Sequence, residues 1–351
     1  MAASIAFPGR ARGRRASGRV LFALLAGVLC FRPSPAQVAD PLPSWKDGGL
    51  KRSIVEFVSG TATEGGHDFV PMEARIAVFD NDGTLWPEKP VIEGMFVLER
   101  IKSKAAADPS LKEKEPFKAA LAGDTAYLKE AGEEAVAKLV AESHSGMTQE
   151  EFAAEAHSFF MRASYPKPRL PLTAVAYQPM VELLAYLRSK GYETWICSGG
   201  TLEFVRTVSL SLYRIPPEQV IGSAIDLKFE LRKGKAVLLR EPGLATVNDK
   251  AGKPVGISRH IGLRPIFAAG NVRSGGDIAM LGYSRSGPGL SFQLLINHDD
   301  AKREFAYKEP DGASLKAARA YGWKVVSMKN DWNTVFRPGA GEERVGTKDP
   351  G

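Results

Sequence analysis

Apolar and polar positions change their spacing several times along the chain, and these changes mark its elements. A short amphipathic helix is predicted over residues 49–59. Arg75-Ile-Ala-Val-Phe-Asp80 is a brief apolar run that ends in an acid and is followed by Gly83, as in a buried strand entering a loop. Residues 90–163 then turn rich in Ala, Glu, Lys and Leu at helical spacing, which predicts three or four helices and no strand. Thr148-x-x-Glu151 has the form of a capping box and starts a helix running to about Ser164. Three prolines within Tyr165-Pro-Lys-Pro-Arg-Leu-Pro171 predict a stiff linker.

Helix and strand alternate after that point. The predicted order is helix 178–190 stopping at Gly191, strand 192–197, helix 201–212 and a hairpin over 221–240 turning at Arg232-Lys-Gly-Lys235. Helix 254–261, strand 265–269, strand 290–296, helix 299–306, helix 312–321 and strand 323–327 follow. Strand–helix alternation around a helical block implies an α/β fold with a Rossmann-like parallel sheet and an inserted α-helical module. Ligands of such sheets bind beyond the carboxyl ends of the strands. Polar clusters should therefore follow strands, and three do, after Phe79, Cys197 and Ala269.

Composition changes the picture mainly at the N-terminus. The 351 residues are 44% hydrophobic and 25% charged, ordinary for a globular chain. The formal charge is +7, but residues 1–36 hold six arginines and no acid, so the remainder carries +1. A nearly neutral chain offers no electrostatic case for nucleic acid or an anionic membrane surface. The arginines precede an apolar run, Val20 to Phe31, and then Ser34-x-Ala36, the layout of a signal peptide with a small-residue cleavage site. The run is too short to span a bilayer, so no stable membrane insertion is expected once the leader is removed. This predicts a periplasmic or secreted protein. Cys30 and Cys197 are the only cysteines, so a chain without its leader has no internal disulfide.

The three clusters carry the candidate chemistry. In Asp80-Asn81-Asp82-Gly83-Thr84-Leu85, two carboxylates two residues apart can face one point, where a hard cation would reduce their repulsion. Ser198-Gly199-Gly200 sets a hydroxyl and free amides at a helix start, an arrangement that suits an anion. Gly270-Asn271-Val-Arg-Ser-Gly-Gly276-Asp277 adds two oxygen-bearing side chains in a glycine-rich loop. Lys253, at a helix start between the second and third clusters, can steady phosphoryl charge; Lys250 is the nearby alternative. Trp86, Glu88, Arg273 and Asp299 border these clusters: Trp86 and Glu88 either face substrate or are a packing indole and a solvated acid, Arg273 either binds substrate phosphate or is an exposed loop arginine, and Asp299 either borders the site or caps a helix. The histidines show no zinc-ligand spacing.

The order Asp-x-Asp-Gly-Thr, Ser-Gly-Gly, Lys, Gly-Asn…Gly-Asp resembles the haloacid dehalogenase superfamily, particularly its phosphoserine-phosphatase-like branch. The resemblance covers roughly residues 75–330, and Phe79-Asp-Asn-Asp-Gly-Thr-Leu85 is its most specific piece. It implies a core over 49–87 and 176–335, a helical cap over 88–175, a linker over 37–48 and a disordered tail over 336–351. It also implies a Mg²⁺-dependent phosphomonoesterase acting on small phosphorylated metabolites. Asp80 would be the nucleophile, Asp82 the general acid and base, and Lys253 the bridge between nucleophile and phosphate. Ser198 and Gly199 would bind phosphoryl oxygens. The metal would be held by Asp80, by Asp82 through its backbone carbonyl, and by either Asp277 or Asn271, with Asp277 favoured and Asn271 beside it.

The third cluster departs from that pattern, because Asn271 stands where an acid is expected and Asp277 follows six residues on. That departure keeps a catalytically weak binding protein of the same fold in view. A true dehalogenase, the other alternative, would need neither Asp82 nor magnesium.

Overall fold

The structure is a computed structural model in which residues 39–273 and 275–339 are described. The signal-peptide reading of residues 1–36 lies outside those residues, as does most of the expected tail, 340–351. The elements in chain order are α1 (Gly49–Ala62), β1 (Ile76–Phe79), α2 (Ile92–Ala107), α3 (Phe117–Ala122), α4 (Thr125–Ser143), α5 (Gln149–Arg162), β2 (Ser164–Tyr165) and β3 (Leu170–Pro171). Then come α6 (Gln178–Ser189), β4 (Glu193–Thr201), α7 (Leu202–Tyr213), β5 (Val220–Arg232), β6 (Lys235–Thr246), α8 (Gly252–His260) and β7 (Phe267–Asn271). The chain finishes with α9 (Ile278–Arg285), β8 (Phe292–Asn297), α10 (Ala313–Tyr321), β9 (Lys324–Ser327) and α11 (Met328–Asp331).

Seven strands form one sheet in the order β6-β5-β4-β1-β7-β8-β9, parallel throughout except for the antiparallel β5–β6 hairpin. β1, at the centre of the sheet, is apolar at every position because both faces are covered. Ala77 and Phe79 of β1 join one core cluster, whereas Ile76 and Val78 join the other. β8 divides in the same way, with Leu294 and Ile296 on one side and Leu295 on the other. This α/β sheet matches the sequence expectation.

Helices α2 to α5 are inserted between β1 and β4. They have a small core of their own, formed by Val97, Ile101, Phe117, Ala120 and Leu139. Yet Phe96, Phe159 and Phe160 meet Trp86 and Phe204 of the sheet layer in a continuous aromatic cluster. The insert and the sheet accordingly belong to one compact unit, which begins at Asp40. The Thr148–Glu151 capping box forms as expected, with both of its hydrogen bonds present.

Four expectations are corrected. Residues 40–48 are not a linker: Leu42 and Trp45 are buried, Trp45 bridges to Trp332, and Ser44 donates to Glu182. Tyr165–Pro171 holds a small hairpin, β2–β3, instead of a plain linker. Residues 299–306 form no helix, because Asp300 accepts from the Lys302 and Arg303 amides in a turn and the Arg303 guanidinium reaches carbonyls near Trp332. The start of the expected disordered tail is ordered, since Phe336 pairs with Tyr177. Among the described residues no helix is long and apolar enough to cross a membrane.

Candidate active site

The carboxyl ends of β1, β4 and β7 lie side by side, Phe79 opposite Ile196 and Ala269. The first loop is wound around one carbonyl: Asn81 O accepts from the Thr84, Leu85 and Trp86 amides at 3.1, 2.8 and 3.2 Å. Gly83 makes this turn at φ +75°, in the left-handed region that glycine tolerates. Its Cβ position would lie 1.6 Å from Asn271 Nδ2, so no side chain fits there. The loop holds Asp80 and Asp82 nearly out of solvent, at 5% and 7% exposure.

Lys253, in the first turn of α8, reaches across to this loop. Its Nζ donates to Asp80 Oδ1 at 2.6 Å and to Asp277 Oδ1 at 2.5 Å. Burial opposes the lysine's charge, but Asp277 and Asp80 more than offset it and hold the ammonium above its ordinary value. Lys250 points elsewhere and pairs with Glu133 on the surface.

Asp80 is pushed up to about 8 by burial and by the neighbouring charges of Asp277 and Asp82, against the opposing pull of Lys253. Asp82 is raised to about 6, again chiefly by burial, although the Trp86 indole donates to its Oδ1 at 2.9 Å and favours the charged form. Trp86 is thus a buried core ring that also touches a candidate catalytic group.

The Ser198-Gly199-Gly200 segment ends β4 and runs into α7 at Leu202. Ser198 Oγ accepts from the Gly200 amide at 3.0 Å. A Cβ at Gly200 would lie 3.3 Å from Ser198 Oγ and 3.7 Å from Asp82 Oδ2, which measures how closely the first two loops meet. Glu93, in the first turn of α2, accepts from the Thr201 amide at 3.0 Å through Oε2 and from the Thr201 hydroxyl through Oε1, and His144 Nε2 lies 3.2 Å from that same Oε1. Burial works against the Glu93 carboxylate, but His144 and Thr201 together hold it below its ordinary value.

The third loop departs from the expected metal set. Asp277 gives Oδ1 to Lys253 and Oδ2 to the Asn271 amide at 2.9 Å, so both of its oxygens are engaged in fixing the lysine and the loop. Asn271 Nδ2 lies 3.1 Å from Asp82 O, 3.0 Å from Glu88 Oε2 and 3.1 Å from the Tyr307 hydroxyl. Among the described residues no three His, Cys, Asp or Glu side chains form a ready metal cage. Oxygen donors here are instead mixed, from side chains and backbone.

Three further residues stand beside the site. Glu88 is not a solvated acid: it is fully buried and ion-paired with the half-exposed Arg273. Tyr307 donates to Glu88 Oε2 at 2.7 Å. His298, at the end of β8, sets its Nε2 2.7 Å from Gly83 O and braces the first loop. His298 left a signal, a polar triplet after a strand; Tyr307 left none. Asp299 accepts from the Ser327 hydroxyl and the Lys329 amide, away from the carboxylate cluster.

A sequence profile for haloacid dehalogenase-like hydrolases matches residues 77–281, more than half of the chain. A conserved, functionally unknown protein from Anaerococcus prevotii DSM 20548 is structurally similar, with a TM-score of 0.51 and 15% identity over 79% of this chain and 91% of that one. A protein of unknown function from Bordetella pertussis Tohama I gives 0.48 at 17% identity, over 72% and 98%. A probable phosphoserine phosphatase from Vibrio cholerae gives 0.36 at 13% identity, over 71% and 68%. A comparison with curated protein sequences returned no match. The profile match and the sheet topology agree, and the chain belongs to the haloacid dehalogenase-like hydrolase family.

Proposed function

We infer that the protein is a phosphomonoesterase using Asp80 as a covalent nucleophile. One observation carries this reading: Lys253 grips Asp80 Oδ1 from one side, while Asp82 and Ser198 meet at Gly200 on the other. With Oδ1 held, Asp80 Oδ2 is the oxygen that attacks phosphorus. An oxygen–phosphorus bond forms to Asp80 as the bond to the ester oxygen breaks, and Asp82 gives its proton to the departing alkoxide. Asp82 then takes a proton from water, and the hydroxide displaces Asp80 from phosphorus to release phosphate. A value near 6 suits a carboxyl that both gives and takes a proton near neutral pH. The Ser198 hydroxyl and the Gly199 amide would hold the phosphoryl oxygens.

Mg²⁺ fits the residues present. Asp80, the Asp82 carbonyl and Asn271 are oxygen donors of the hard type that ion takes, and Mg²⁺ keeps several waters, so a full protein cage is not required. When bound it would neutralise the charge of phosphate and of the crowded carboxylates. A halide-releasing reaction needs no second acid, and the hydrogen bond from Trp86 to Asp82 weighs against it.

The near-complete burial of Asp80 and Asp82 favours small soluble phosphomonoesters over phosphoproteins. Export belongs to the same proposal and rests on residues 1–36; a whole-cell protein that keeps these residues and stays in the cytoplasm would refute it. The activity test is hydrolysis of a chromogenic phosphomonoester with and without Mg²⁺. Turnover is expected only with the metal, and Asp80→Asn should lower it at least about a hundredfold. Unchanged turnover in that variant would remove the mechanism.

A further inference from the structure

The cation site implied by this family has an acid where this chain has Asn271, and Asp277 spends both oxygens elsewhere. A carboxylate lies beside Asn271 all the same. Glu88 is fully buried and brings Oε2 to 3.0 Å from Asn271 Nδ2. Its Oε1 lies against Arg273 Nε in an ion pair but accepts no hydrogen bond. Around that one amide nitrogen stand three oxygens, those of Asp82 O, Glu88 and Tyr307, all within 3.1 Å. An amide has two hydrogens and cannot satisfy three acceptors. Turning that amide over sets its Oδ1 beside the same carboxylate and carbonyl, an all-oxygen surrounding of the kind a hard cation takes.

We propose that Glu88 supplies the carboxylate missing from the third loop and is a ligand of the divalent cation, with Arg273 as its competitor. The acid has moved from the β7 loop to the residue six positions after Asp82, and the amide of Asn271 completes the same oxygen set. Arg273 neutralises Glu88 when no metal is bound. Because this guanidinium is half-exposed, it can swing into solvent when a cation takes over the carboxylate. The proposal rests on the phosphomonoesterase reading only in assuming that a divalent cation binds.

Mn²⁺ titrated into the metal-stripped protein, followed by the electron paramagnetic resonance signal of the free ion, tests this without reference to turnover. Glu88→Gln is expected to weaken Mn²⁺ binding at least about tenfold. Arg273→Gln is expected to tighten it several-fold, because it removes the competing cation. That second variant changes a half-exposed side chain and keeps the test open if Glu88→Gln does not fold. Wild-type affinity in Glu88→Gln, or unchanged or weaker binding in Arg273→Gln, overturns the proposal. If those results came with a large loss of binding in Asp80→Asn, the phosphomonoesterase reading would stand and only the role of Glu88 would fall. Failure of the wild-type protein to bind Mn²⁺ would defeat both.

Discussion

Lys253 Nζ stands 2.6 Å from Asp80 Oδ1, joining residues 173 positions apart in the chain. The same ammonium holds Asp277 at 2.5 Å, so one buried cation serves two buried carboxyl groups. Lys253→Met would keep much of the side-chain volume and remove that cation. Losing one partner of a buried pair costs about 3–5 kcal/mol, because the remaining charges have no compensation. Urea unfolding should register a loss of that size together with loss of phosphomonoester hydrolysis. A variant as stable as the parent would show that the two aspartates do not depend on the lysine.

The indole of Trp86 favours the charged form of Asp82 through its hydrogen bond to Oδ1. Trp86→Phe keeps a ring in the aromatic cluster but deletes the donor. Asp82 should then hold its proton to higher pH, and the alkaline limb of the kcat/KM profile should move up by about one unit. A limb that stays in place would detach Asp82 from the proton transfer.

Metal removal should destabilise the protein most at alkaline pH. Asp80 rises from an ordinary 3.8 to about 8 in the fold, and Asp82 from 3.8 to about 6. Between about pH 4 and 8 the folded, metal-free protein therefore holds protons that the unfolded chain has released, and its stability falls as pH rises. Glu93 acts in the opposite direction, since its lowered value gives stability that is lost only as pH falls below its ordinary 4.5, outside this window. The Tm of EDTA-treated protein should be lower near pH 8 than near pH 5, and Mg²⁺ should restore more at pH 8. A metal-free Tm that climbs over this range would contradict the assignment.

Gly83→Ala places a methyl group 1.6 Å from Asn271 Nδ2 and 2.7 Å from the Tyr307 hydroxyl at a positive φ. Backbone strain of this kind costs of order 1–3 kcal/mol, and Asn271 must also move. Thermal unfolding should show the loss, and hydrolysis should fall roughly tenfold or more as the loop geometry loosens. Normal activity in this variant would mean that the close approach of Gly83 and Asn271 is dispensable.

Much of the architecture was legible because local chemistry and tertiary structure ask for the same thing. The hairpin turn was marked by Lys233-Gly234, and both residues adopt the positive φ such a turn needs, +51° and +77°. The Thr148 cap and the all-apolar β1 were equally plain. The departures come where distant partners decide. Trp45 sits in a Pro- and Asp-rich stretch that reads as solvent-exposed, and its burial depends on Trp332. Residues 299–306 have helical composition, but Arg303 is drawn away by backbone carbonyls near residues 328–333. Of the site, the motif residues Asp80, Asp82, Ser198, Lys253 and Asp277 converge as their order implied. Glu88 stayed undecided between a site residue and a solvated acid, because an acid two residues past a tryptophan looks like any surface glutamate. Only folding shows that it is enclosed by Asn271, Tyr307 and Arg273.

Glu93 belongs to the inserted helices, whereas the Thr201 amide and hydroxyl it accepts from close the Ser-Gly-Gly segment. An outward tilt of α2 that pulled Glu93 away would strip two donors of their acceptor and free that turn. One buried carboxylate therefore sutures the inserted helices to the bend between β4 and α7, so neither can shift far without the other.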